Sequence, residues 1–206
     1  MEKDKYIDDL KDIKDLMNRS SKFISLSGWS GIVIGIIAII AAYLGSKIVG
    51  AKGFLLKNNN YDPQLIFDLR VELFSIVAAT LIISLIVGII FTVNKSKRLG
   101  EKIWTKQSQI LLTNLAIPLV VGGIVCLLFY LKAEYGVIAP LTLIFYGLAL
   151  INASKYTLGE IRSLGILNCI LGIIGLYFIG YGLLLWAIGF GVLHIIYGVM
   201  MKIKHN

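Results

Sequence analysis

Long apolar segments alternate with short polar ones along most of this chain. Six apolar segments follow a charged amino-terminal stretch, and all but the fourth have about the length needed to cross a hydrocarbon core of roughly 30 Å. The pattern predicts an all-α integral membrane protein with six transmembrane helices. Their expected bounds are 23–44, 71–93, 110–131, 137–152, 161–179 and 183–201.

The first 22 residues have a different pattern, in which charged side chains surround a narrow apolar stripe. Tyr6, Leu10, Ile13 and Met17 recur at helical spacing. Acidic and basic residues balance here, whereas a helix that lies on a membrane surface has a basic excess. We therefore predict a cytoplasmic amphipathic helix that packs on the protein's own loops or, alternatively, on a partner helix. Residues 23–206 are then the transmembrane domain.

The connection between the first two spans, residues 45–70, is the longest in the chain. It contains a run of three asparagines and an Asp-Pro step, which are typical of turns and loops. We expect an extramembrane segment that is at most partly ordered.

Composition and charge agree with a membrane protein. The 206 residues are 57% hydrophobic and carry a formal net charge of +8. No nucleic-acid partner is predicted, because the basic residues follow the rule that Lys and Arg stay in cytoplasmic segments. With the amino terminus inside, fifteen Lys and Arg residues fall on the cytoplasmic side and five on the other. We expect both termini in the cytoplasm, the bacterial inner membrane as the location, and membrane lipids as partners.

The last two spans carry the most specific pattern in the sequence. They are separated by Gly180-Tyr181-Gly182, and their glycines mirror one another about this turn, Gly165 with Gly198 and Gly172 with Gly191. Small residues at matched depth let two transmembrane helices approach closely. The two spans are therefore expected to pack on each other as a helical hairpin.

The first span carries a related glycine pattern. Gly28, Gly31 and Gly35 have the spacing of Gly165, Asn168 and Gly172, which hints at an internal repeat relating the first and fifth spans. Transporter folds are often built from such repeats. The glycines expected at helix-packing positions are Gly28, Gly31, Gly35, Gly165, Gly172, Gly191 and Gly198.

Four uncharged polar residues lie in the cytoplasmic half of the predicted spans. Asn168 and His194 are each about 10 Å deep, at the same level, whereas Asn114 and Asn152 are shallower. In one interpretation Asn168 and His194 bond each other or nearby backbone and lock the hairpin. In the other the four residues line a pocket and bind a small ligand, either hydrophobic or polar and uncharged.

The sequence contains no motif of a hydrolase, a metalloprotease or a nucleotide-binding loop. No Asp or Glu lies in the middle of a span, although proton-coupled transporters and intramembrane proteases usually bury carboxylates. We therefore predict no catalytic residues, no metal site, no cofactor and no enzymatic activity.

Three stretches, residues 20–28, 145–156 and 189–198, together resemble a family of six-span bacterial inner-membrane proteins with no assigned activity. The likeness implies a gene beside that of a small winged-helix regulator, and hence regulated expression or a stress role. The expected function is that of a non-enzymatic membrane protein with a structural, regulatory or ligand-sensing role, and with self-association through unused glycine surfaces. The alternative is a transporter or channel for a small uncharged or lipid-like solute, with its site near Asn168 and His194.

Overall fold

The structure, a computed structural model, describes residues 27–58, 63–100 and 102–205, without the side chains of residues 51–58 and 205. The predicted amino-terminal helix, residues 1–22, lies outside the described residues. Six long helices form the fold. They are α1 (Gly28–Asn58), α2 (Pro63–Leu99), α3 (Lys106–Leu131), α4 (Ile138–Ala153), α5 (Glu160–Tyr177) and α6 (residues 182–205).

Two of these helices depart from regular α geometry. Short 3-10 turns, Tyr135–Val137 and Ser154–Tyr156, extend α4 at its two ends. Helix α6 begins as Gly182–Trp186, continues as a π-helical segment, Ala187–Val192, and returns to α geometry in Leu193–His205. The π segment lies in the middle of the span, where the candidate site is found.

Each of the six helices, α4 together with its two 3-10 turns, contains a segment that is long and apolar enough to cross a membrane. Within the described ranges, every regular element is helical and none is a strand. The prediction of six transmembrane helices in an all-α fold is confirmed, and the chain is a multi-pass membrane protein.

The connection between the first two spans differs from the prediction. Helix α1 continues to Asn58, and α2 begins at Pro63, so most of the expected loop is helical. Turn-favouring residues such as Gly50 do not end a helix, since a helical glycine costs only about 1 kcal/mol relative to alanine. Pro63 is the first residue of α2, a position where proline is favoured because its missing N–H would have had no helical partner.

Helices α1 and α6 pack antiparallel with their backbones in close approach. A Cβ atom built on Gly35 would lie 2.6 Å from the Gly191 carbonyl oxygen and 3.1 Å from the Ile195 nitrogen. A Cβ on Gly198 would lie 2.6 Å from the Gly28 carbonyl oxygen. Such distances leave no room for a side chain, so glycine at these positions is what permits the packing. We call this interface the first seam.

Helices α4 and α5 form a second seam of the same kind. A Cβ atom built on Gly172 would lie 2.7 Å from the Pro140 carbonyl oxygen and 3.0 Å from the Ile144 nitrogen. A Cβ on Gly147 would lie 2.5 Å from the carbonyl oxygen of Gly165. The second seam therefore also depends on glycine in both helices.

The two seams have the same alignment, residue for residue. Gly35 meets residues 191 and 195 of α6, and Gly172 meets residues 140 and 144 of α4 at nearly the same distances. Residues 144–148 read Ile-Phe-Tyr-Gly-Leu, and the corresponding residues 195–199 read Ile-Ile-Tyr-Gly-Val. Helix α5 thus corresponds to α1, as the glycine spacing suggested, and α4 corresponds to α6.

The mirrored glycines of the last two spans do not face each other as expected. Gly165 and Gly172 face α4, whereas Gly191 and Gly198 face α1. Matched depth places residues at one level in the membrane but does not decide which side of a helix they occupy. Helices α1 and α4 take these positions because each of them carries its own small residues at the complementary spacing. All seven predicted packing glycines lie in one of the two seams.

Helices α2 and α3 lie on the outside of the two seams. Gly88 of α2 faces Ile34 of α1, and Gly122 of α3 packs closely against Phe145 of α4. At the end of the bundle that holds residue 63, Phe74 of α2 and Tyr130 of α3 meet with ring centroids 6.1 Å apart. The opposite end, which holds Lys97, Lys106, Lys155 and Lys204, is called the basic end below.

Candidate functional site

The four polar residues singled out in the sequence separate into two groups. Asn168 of α5 and His194 of α6 both bond or abut the backbone around Gly189, in the π segment of α6. Asn114 and Asn152 are joined to each other at the interface between α3 and α4. The structure therefore does not bring all four residues into one pocket.

Asn168 is completely buried, with 0% of its surface exposed. Its Nδ2 donates to the Leu164 carbonyl oxygen at 2.9 Å, one turn earlier in α5. Because a carbonyl oxygen only accepts, this bond fixes the amide orientation and directs Oδ1 away from α5. Oδ1 has no hydrogen-bond partner among the residues that the structure describes. It lies 2.7 Å from where a Cβ on Gly189 would be, so it packs against the bare backbone of that glycine.

His194 uses both ring nitrogens within the protein. Nδ1 lies 2.9 Å from the Gly189 carbonyl oxygen, and Nε2 lies 2.7 Å from the Tyr146 hydroxyl. A carbonyl oxygen only accepts, so Nδ1 carries a proton and donates it. In the neutral imidazole Nε2 is then the acceptor, and the Tyr146 hydroxyl donates to it. His194 thereby ties α6 to α4.

Gly189 connects the two buried polar residues. Its α-carbon packs against Asn168 Oδ1, and its carbonyl oxygen accepts from His194 Nδ1. In the same segment the Leu193 N–H donates to the Ile188 carbonyl five residues back, which is the π pattern. Segments of this kind occur often at functional sites. Asn168 and His194 do not bond each other. Each bonds the backbone of its own helix, and His194 also bonds Tyr146 of α4, so no hydrogen bond of these two side chains joins the described parts of α5 and α6.

An aromatic ladder runs along one face of α6 beside this site. Trp186, Phe190 and His194 follow one another at four-residue spacing, with ring centroids 4.9 Å and 5.9 Å apart. Tyr146 of α4 covers two of these rings, 4.8 Å from Phe190 and 5.4 Å from His194. Apart from His194, the members of the ladder are half-buried. The ladder is the largest part of the site that sequence reasoning missed.

Two signals could have identified the ladder. The four-residue spacing of Trp186, Phe190 and His194 places them on one helix face. Tyr146 precedes Gly147, just as Tyr197 precedes Gly198, so it belongs to the motif shared by α4 and α6. Ten tyrosines in the chain made Tyr146 hard to single out by type alone.

Asn152 and Asn114 have a structural explanation. Pro118 in α3 has no N–H, so the carbonyl of Asn114, four residues earlier, loses its helical donor. The side chain of Asn152 in α4 supplies a replacement, since its Nδ2 donates to the Asn114 carbonyl oxygen at 3.0 Å. The side chain of Asn114 donates in turn to the Ile110 carbonyl at 2.8 Å. These amides satisfy backbone groups in a place where water is scarce.

The bond from Asn152 to the Asn114 carbonyl predicts that removing Pro118 makes Asn152 dispensable. Asn152→Leu should lower the free energy of unfolding by about 1 kcal/mol, because it leaves the half-buried Asn114 carbonyl without a donor. In a Pro118→Ala background the backbone N–H of residue 118 returns, and the same Asn152→Leu change should cost almost nothing. Equilibrium unfolding of the four proteins in mixed micelles measures the coupling. Equal costs in the two backgrounds would show that Asn152 acts elsewhere.

The arrangement around His194 offers hydrogen bonding and aromatic stacking. In the part of the chain that the structure describes, no three His, Cys, Asp or Glu side chains are close enough to hold a metal ion. Both nitrogens of His194 are engaged, and the unsatisfied polar atom of the site is the acceptor Asn168 Oδ1. The site can therefore lock helices together or accept a hydrogen bond from a small donor.

Comparison of the chain with models of protein families, with curated proteins and with solved structures gave no significant match.

Proposed function

We propose that this multi-pass membrane protein is non-enzymatic and serves a structural, regulatory or ligand-sensing role in the bacterial inner membrane. The observation that carries the proposal is the pair of equivalent glycine seams, in which four helices meet backbone to backbone. Bundles held this way suit a structural or regulatory unit, since close-packed interfaces adopt discrete arrangements rather than deforming continuously. Self-association would use surfaces other than these seams, because their glycines are already covered.

The polar groups inside the spans also support a packed scaffold. The side chains of Asn114 and Asn152 donate to backbone carbonyls, and His194 bonds Gly189 and Tyr146. A solute pathway would instead present such groups to its cargo. Asn168 Oδ1 is the exception, and it gives a scaffold of this kind one place at which a ligand could be sensed.

The proposed orientation has both termini in the cytoplasm. Among the described residues, the basic end carries Lys97, Arg98, Lys106, Lys155 and Arg162, while the other end carries Lys47, Arg70 and Lys132. Lys and Arg concentrate on the cytoplasmic side of membrane proteins. The resemblance to inner-membrane proteins with regulated genes supports the same location.

A second candidate is a transporter or channel for a small uncharged or lipid-like solute. The observation in its favour is the half-buried aromatic ladder of Trp186, Phe190 and Tyr146, which leads along α6 to His194. Aromatic side chains with a few polar groups among them are typical of small-molecule sites. The ladder also packs α6 against α4, because Tyr146 covers the rings of Phe190 and His194.

Solute flux separates the two candidates. We expect vesicles that contain the purified full-length protein to respond to a glycerol gradient as slowly as protein-free vesicles, measured by stopped-flow light scattering. The matched variant is His194→Leu, because leucine occupies the corresponding position of α4, Leu143. Protein-dependent glycerol flux that disappears in His194→Leu would replace the scaffold proposal with the transporter.

A further inference from the structure

The short connection between α2 and α3 combines exposed basic and exposed apolar side chains. We call residues 97–100 and 102–106 the basic rim. Its exposed basic residues are Lys97, Arg98, Lys102 and Lys106. Its exposed apolar residues are Leu99, Ile103 and Trp104, and the Trp104 side chain is 69% exposed. Large apolar side chains so exposed beside four cations are typical of a membrane interface rather than of an aqueous surface.

Helix lengths place the rim at the level of the lipid headgroups. Helix α2 has 37 residues and is therefore about 55 Å long, well beyond the roughly 30 Å of a hydrocarbon core. Its apolar run ends at Val93, about one turn before Lys97. Tryptophan prefers this interfacial level, where its ring meets both acyl chains and water. Trp104 thus marks the depth at which the four basic side chains lie.

The described residues of the rim include four cations and no acid. In the sequence, Glu101 lies between the two described parts of the rim and outside the described residues. Glu160, another acid of the basic end, forms an ion pair with Lys204 of α6. The described part of the rim therefore presents cations to the headgroup layer.

We propose that the basic rim binds the headgroups of anionic phospholipids. Lys97, Arg98 and Lys102 contact the lipid phosphates, while Trp104 and its apolar neighbours enter the boundary of the acyl chains. Each basic residue near an anionic bilayer surface contributes about 1 kcal/mol of attraction, which corresponds to roughly fivefold in local lipid concentration. The inference rests on the membrane position of α2 and α3 and is independent of which side of the membrane the rim faces.

The fluorescence of Trp104 can report which lipids lie beside the basic rim. Trp29→Phe and Trp186→Phe leave Trp104 as the single tryptophan of the full-length protein, which is placed in phosphatidylcholine vesicles. One sample contains a minor fraction of brominated phosphatidylglycerol, and a parallel sample contains the same fraction of brominated phosphatidylcholine. Bromine quenches the fluorescence of nearby tryptophan. We expect several times more quenching by the anionic lipid. Equal quenching by the two lipids would overturn the proposal.

A pair of charge-matched variants tests whether the rim itself is responsible. The triple variant Lys97→Gln, Arg98→Gln and Lys102→Gln should lose most of the preference for the anionic lipid. The control, Lys47→Gln, Arg70→Gln and Lys132→Gln, removes the same charge from the other end and should keep the preference. Loss of the preference in both variants would assign it to net charge and overturn a site at the rim.

Two conditions on the reporter protein with its basic rim intact complete the test and need no further substitution. Added NaCl should reduce the anionic preference, because salt screens exposed charges. Inorganic phosphate should reduce it no more than chloride does at equal ionic strength. Specific displacement by inorganic phosphate would show that the rim is a site for free phosphate and would overturn the lipid assignment.

Discussion

Replacing Gly198 or Gly147 with leucine is expected to lower the free energy of unfolding by about 3 kcal/mol, at the upper end of what overpacking usually costs. A Cβ atom on Gly198 would lie 2.7 Å from the Ile32 nitrogen, and one on Gly147 would lie 2.9 Å from the Cys169 nitrogen. These neighbours are backbone atoms, so rotation of a side chain cannot relieve the clash. The helices would have to separate.

The matched control is Gly123→Leu in α3. A Cβ atom on Gly123 meets nothing within 4 Å, so leucine there adds an apolar side chain to a surface without crowding the protein. We expect its stability to change by less than about 0.5 kcal/mol. Unfolding in mixed micelles measures all three variants. Because the seams are equivalent, similar losses at Gly198 and Gly147 are part of the prediction, and a loss at only one would contradict that equivalence.

The spans could be predicted from the sequence because their signal is local. An apolar run of about twenty residues can satisfy its backbone inside a bilayer only as a helix. The ends of α1 and α2 could not be predicted in the same way. Beyond the hydrocarbon core, water competes with the helix, and the choice between helix and loop around Asn58 depends on small differences in propensity.

The packing of the glycines could be predicted only in part. Their spacing shows which face of each helix carries small residues, but not which neighbouring helix packs against that face. Gly165 and Gly198 have the same depth and still face different helices, α4 and α1. The information that was missing lies in α4, where Gly147 and the motif around it repeat the pattern of α6.

The two buried polar residues were identified from their depth, but their partners were not. Hydrogen bonding depends on ångström distances, and a π segment changes the orientation of every residue that follows it. The correspondence between the two seams shows in what respect Asn168 and His194 are unusual. The counterpart of His194 in the second seam is Leu143, and the counterpart of Asn168 in the first is Gly31. Seams of this shape therefore form without either polar group, so neither residue is required for the close approach of the helix backbones.

The second large effect is expected at Asn168, with the opposite sign from the glycine variants. Asn168→Leu should raise the free energy of unfolding by about 2 kcal/mol, because leucine keeps the branched skeleton and the number of side-chain heavy atoms and removes the buried oxygen that has no partner among the described residues. The bond from Nδ2 to the Leu164 carbonyl is also lost. That loss is small, since such bonds average about 0.6 kcal/mol in membranes and the carbonyl keeps its helical N–H donor.

The control is Asn152→Leu, the same chemical change at an amide that is paired. It should destabilise the protein, because the Asn114 carbonyl then loses its donor. Equilibrium unfolding in mixed micelles measures the change in the free energy of unfolding for both variants. We expect an increase for Asn168→Leu and a decrease for Asn152→Leu. If Asn168→Leu instead destabilises the protein by 1 kcal/mol or more, Oδ1 has a partner that stabilises the fold, such as a bound water.

A stabilising Asn168→Leu means that the native residue is kept at a cost to stability. Costs of this kind are typical of positions selected for function, which makes Oδ1 the atom to which a ligand would bind.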